Sequence, residues 1–80
     1  MSRRDKRLQE LRNNPNNIRF EIIRAILVDH GFIETAPGGG SSHYTYHNGI
    51  YRITVPKNNP VNKTYVRQVI KIIDALEETK

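Results

Sequence analysis

The sequence contains no cysteine. That excludes a disulfide framework, a thiolate zinc site and a cysteine nucleophile, and it fits a reducing, cytoplasmic setting. Long apolar runs are also missing. The longest, Ala25-Ile26-Leu27-Val28, falls far below the ~18 residues that a membrane span needs. Acidic residues are few and scattered, at Asp5, Glu10, Glu21, Asp29, Glu34, Asp74, Glu77 and Glu78. They form no cluster with the spacing of a metal nuclease or a calcium loop, so neither a metal nor a cofactor is expected. Hydrophobic residues make up 36%, little for a globular chain but above the range of disorder.

What remains is a basic chain sized for one domain. Lys and Arg total 13 against 8 Asp and Glu, a formal charge of +5 over 80 residues. A chain this short buries only ~60% of its unfolded surface, so it must spend few residues on loops. The charge points to an anionic partner, with nucleic acid first.

Residues 1–17 stand apart as a basic N-terminal extension. Arg3, Arg4, Lys6, Arg7 and Arg12 surround a narrow apolar stripe of Leu8 and Leu11, which suits a short helix. Asn13-Asn14-Pro15-Asn16-Asn17 ends it. From residue 18 to 80 a second region follows. Ile22, Ile23, Ile26 and Leu27 share one face of a helix over 18–30, with Asn17 and Arg19 in its N-cap region. Gly31 supplies the left-handed stop, and Phe32 stands where a Schellman motif wants an apolar contact. A short strand is expected at 32–35, then a glycine-rich loop through Gly40, Ser41 and Ser42. Strands over 43–47 and 50–55 are joined by Asn48-Gly49, read as a type I′ turn. The last helix spans 63–78, with Val66, Val69, Ile70, Ile73 and Leu76 inward and Asn62 as its N-cap. The order predicts an α+β two-layer sandwich. It is α-β-β-β-α with an extra short N-terminal helix, and the sheet has three antiparallel strands.

A turn at Asn48-Gly49 sets a register. His47 would oppose Ile50, Tyr46 oppose Tyr51, Thr45 oppose Arg52, Tyr44 oppose Ile53 and His43 oppose Thr54. Tyr44, Tyr46, Tyr51, Ile53 and Val55 then face the helices. His43, Thr45, His47, Ile50, Arg52 and Thr54 face outward, with Arg52 diagonal to His43. An imidazole beside a cation and a glycine-serine loop can meet a phosphate. Taken alone, an exposed strand histidine more often marks a solvated face. On the last helix Lys63, Arg67 and Lys71 recur every four residues. They form either a phosphate-binding stripe or the solvated side of an amphipathic helix. His30, at the end of the first long helix, suits the dipole there and suggests no function.

Several segments together resemble the HicA toxin family. They are Gly31-Phe32, Gly40-Ser41-Ser42-His43-Tyr44-Thr45-Tyr46, Ile53-Thr54-Val55-Pro56, and the run from Pro60 to Val69 that contains Tyr65-Val66-Arg67-Gln68. The resemblance covers about residues 13–75. It implies a fold like the double-stranded-RNA-binding domain (dsRBD-like). It also implies an mRNA interferase of a type II toxin–antitoxin system, a ribonuclease that cleaves messenger RNA and blocks translation. The implied partner is a HicB antitoxin that covers the active site. The family's catalytic histidine falls on His43. The chain departs from the pattern in its basic N-terminal segment and in a loop without basic residues before His43.

On this reading His43 is a general base or acid in cleavage without metal, and His47 is a candidate accessory group. Arg52 and the amides of Gly40, Ser41 and Ser42 would stabilise charge on phosphorus. Lys63, Arg67 and Lys71 would hold the RNA backbone. The alternatives are a non-catalytic RNA-binding module of the same fold, or a basic surface that meets only an acidic protein.

Overall fold

The computed structural model describes residues 3–39 and 42–78. It is an α+β fold of α1 (Arg3–Asn13), α2 (Phe20–Asp29), β1 (Ile33–Thr35), β2 (His43–Asn48), β3 (Tyr51–Pro56) and α3 (Lys63–Glu78). The strands form one antiparallel sheet in the order β1-β2-β3.

One core joins the three helices to β2 and β3. Leu11 of α1 is fully buried with Ile23, Ile26 and Leu27 of α2, Tyr46 and Val55 of the sheet, and Val66, Val69 and Ile73 of α3. Leu8 packs partly against the same core, so the stripe of two leucines holds α1 in place. Complete burial of a leucine contributes about 2 kcal/mol. Ion pairs flank that seam: Arg7 to Asp29 at 2.7 Å, and Arg12 to Asp74. Both are partly exposed and add little by themselves.

Helix ends are satisfied in three ways. At the C-terminus of α2, Phe32 N–H donates to the Leu27 carbonyl and Gly31 N–H to the Val28 carbonyl, both at 3.0 Å, with Gly31 at φ 84°. That is the expected Schellman geometry, and Phe32 is buried beside it. At the start of α3, Asn62 Oδ1 accepts from Thr64 N–H at 2.8 Å, also as expected. The start of α2 differs. Arg19 holds the N-cap position without a side-chain cap. The Phe20 N–H instead donates to Asn59 Oδ1 at 2.8 Å, from the loop before α3. Neither Asn17 nor Arg19 supplies the cap, because a side chain far along the sequence reaches the orphan donor first.

The hairpin departs from the expected register. His47 pairs with Arg52, Tyr46 with Ile53, Thr45 with Thr54, Tyr44 with Val55 and His43 with Pro56. Asn48 is the last residue of β2, paired with Tyr51, and the turn residues are Gly49 and Ile50. Gly49 has φ 61° and no described non-glycine residue has positive φ. A type I′ turn at Asn48-Gly49 is thereby excluded, and the pattern is that of a II′ turn with glycine first. The cause is tertiary. Asn48 Nδ2 donates to the His30 carbonyl at 3.0 Å, which commits the side chain to the end of α2.

Gly31 carries the tightest local constraint. A Cβ there would lie 3.3 Å from Asn48 Nδ2, on a backbone that L-residues rarely adopt. Gly31→Ala is expected to cost about 1–2 kcal/mol, read as a lower urea midpoint at unchanged slope. An unchanged midpoint would show that the α2 terminus does not depend on this geometry.

Candidate nucleic-acid interface

Moving a two-residue turn one position along the chain shifts each pairing by two. Side chains therefore keep their faces and change their neighbours. The tyrosines point to the helices, as the alternation predicts. Tyr46 is fully buried, and the Tyr44 ring lies 5.3 Å from that of Phe20. His43, His47, Arg52 and Thr54 are exposed on the opposite face. From β1, Ile33 opposite His47 and Thr35 opposite Thr45 extend that face.

The expected site divides in two. Arg52 is not diagonal to His43; it lies directly across from His47. His43 begins β2 and pairs with Pro56 at the other end of the sheet. The two histidines stand four positions apart along the strand, about 14 Å at 3.4 Å per residue.

At the hairpin end lies a shallow hollow of about 520 Å³, lined by Thr35, Thr45, His47, Gly49, Ile50 and Arg52. The Thr45 and Thr54 hydroxyls approach to 3.1 Å on the same face. At the other end, His43 follows the exposed Ser42, whose carbonyl accepts from Lys57 N–H at 2.8 Å. Gly40 and Ser41, expected to hold phosphate, lie outside the described residues. Lys63, Arg67 and Lys71 are exposed on α3, whose core-facing side chains pack against the helix side of the sheet. The stripe therefore belongs to a different layer from the histidine face.

Sequence reasoning missed Lys57. It follows the partner of His43 in the chain, and the shifted register sets its backbone beside Ser42, the residue before His43. Only a correct turn position could have revealed it. Two polar groupings beneath the site were also hidden. Tyr46 donates its hydroxyl to Glu34 Oε1 at 2.6 Å, and Arg24 Nε lies 3.0 Å from the same oxygen. This chain ties β2 through β1 to α2. Burial, reinforced by the Glu34 carboxylate, pushes the Tyr46 hydroxyl well above the ordinary tyrosine range. His30 is buried, with Nδ1 2.8 Å from the Ile26 carbonyl and Nε2 3.1 Å from Glu77 Oε1. It clamps the end of α2 to the end of α3, and both ring nitrogens are engaged.

Among the described residues no group of three or more His, Asp or Glu could hold a metal ion, and no helix is long and apolar enough to cross a membrane. Comparison with protein-family models, with curated proteins and with solved structures found no match.

The raised Tyr46 ionisation has a signed consequence. The fold favours the neutral phenol, so this contribution is complete below about pH 10 and is lost as pH rises beyond it. Tyr46→Phe should cost about 1 kcal/mol at neutral pH and flatten the fall in stability above about pH 10. Urea unfolding across an alkaline series reads both. An alkaline fall as steep as in the native protein would remove Tyr46 as its source.

Proposed function

We propose that the protein is a metal-independent endoribonuclease of the HicA toxin type, with a dsRBD-like fold, acting on messenger RNA through His43. The observation that carries this reading is the position of His43. It is an exposed imidazole at the first residue of β2, on the sheet face opposite the helix-packed core. The segments that resemble the family surround it, and the order of helix, three strands and helix agrees with the implied fold. A net charge of +5 suits a polyanionic substrate.

The chemistry needs a base that works near neutral pH. The His43 imidazole takes the proton of a ribose 2′-OH, and the 2′-oxygen attacks the adjacent phosphorus. The bond to the 5′-oxygen breaks, and that oxygen leaves with a proton from a second acid or water. The products are a 2′,3′-cyclic phosphate and a 5′-hydroxyl. DNA, lacking the 2′-OH, is not cut. In this scheme Arg52, which the observed register sets across from His47, does not stand beside His43 to offset charge on the phosphorane. Lys63, Arg67 and Lys71 add sequence-independent attraction for the backbone. The partner in this reading is a HicB-type antitoxin seated over the His43 face.

The test is incubation of a long single-stranded RNA with the native protein and with His43→Ala in excess EDTA. The native protein should cut and leave cyclic phosphate ends. The variant should lose about 100-fold or more of the rate and keep RNA affinity. Equal cutting by both would remove His43 from the mechanism. Binding without cutting by the native protein would leave an RNA-binding module.

A further inference from the structure

We infer that the hollow at the hairpin end of the open sheet face is a second phosphate subsite, which grips a single-stranded RNA at a distance from the bond that is cut. The inference rests on the reading of RNA as substrate but places a separate function on separate residues. Its first support is how the arginines are used. Arg7, Arg12, Arg19 and Arg24 each pair with a carboxylate. Among the described residues no carboxylate pairs with Arg52 or with Arg67 of α3, and of these two only Arg52, exposed across from His47, lies on the open sheet face. A guanidinium without an internal counter-charge is available to an external anion, and its planar fork matches phosphate oxygens.

The second support is the shape and lining around it. The hollow of about 520 Å³ exceeds what a lone phosphate fills. Threonine hydroxyls from β1 and β2 line one part of it, and they can donate to phosphate or sugar oxygens. Ile50, 91% exposed at the turn, offers an apolar surface on the other side. A base can rest there while its phosphate meets Arg52 and His47. The third support is placement. His43 shares one face of β2 with Thr45 and His47 of the hollow, and four rises of strand set the two histidines about 14 Å apart, so an extended strand lying along β2 would touch both. Recognition by such a track favours single strands, whose bases can be splayed against the protein.

The test uses a fluorescein-labelled 12-mer of uncleavable 2′-O-methyl RNA, with anisotropy measured over a salt series. Arg52→Ala should weaken binding about five- to tenfold and reduce the salt slope by about 0.7, one phosphate contact on a single strand. Arg19→Gln removes one charge from the start of α2 and should stay within twofold of native, which controls for net charge. Arg52 is exposed, so the variant should unfold at the native urea midpoint. Amide shifts on RNA addition should include Thr35, Thr45 and Gly49. Native affinity in Arg52→Ala, or equal losses in both variants, overturns the subsite even if His43→Ala abolishes cleavage. Conversely, the expected loss in Arg52→Ala upholds the subsite even where His43→Ala still cuts. A native protein that fails to bind the 12-mer overturns the subsite outright.

Discussion

A carbonyl at the C-terminus of a helix has no partner within that helix, and here one such group organises the sheet. The His30 carbonyl at the end of α2 accepts from the Asn48 side chain. With its amide spent there, Asn48 stays in β2 and the chain turns at Gly49 and Ile50. The position of the turn fixes the pairing of β2 with β3. The pairing decides that Arg52 meets His47 and that His43 meets Pro56. A single amide-to-carbonyl bond between a helix end and a strand end thus distributes the chemical groups of the open face.

The two faces of the sheet are held to different standards. On the helix side every buried side-chain polar atom of the described residues has a partner, as a low-dielectric interior requires. Tyr46 spends its hydroxyl on Glu34, and Glu34 also receives Arg24. On the other side, hydroxyls, imidazoles and a guanidinium remain in contact with water. The inner network ties β2 to β1 and α2, and β2 carries both His43 and His47. Groups on a strand are held at more precise separations than groups on a loop.

Features governed by neighbours in sequence were legible from it. The apolar period of residues 63–78 and the Asn62 cap define α3 as observed. Gly31 and Phe32 end α2 in the expected way. Alternation assigned the faces correctly, because a shift of pairing by two preserves parity. Features decided by distant contacts were not legible. The side chain that moved the turn answers to His30, 18 residues away. The Tyr46–Glu34 bond depends on how β1 pairs with β2, and no local signal specifies that pairing. For the candidate site, exposure of His43, His47 and Arg52 on one face could be read, while their neighbours could not.

The cap on α2 carries a consequence for how the chain acquires its shape. The Phe20 amide finds its acceptor in Asn59, 39 residues later, and the Val61 amide donates to the Ile18 carbonyl at 2.7 Å. During synthesis the beginning of α2 emerges long before the segment that completes it. Until the loop before α3 has left the ribosome, the Phe20 amide has only water to donate to. The contacts that tie the hairpin to α2, Asn48 to the His30 carbonyl and Tyr44 against Phe20, join segments made earlier, so the sheet can meet one end of that helix before the other end is capped.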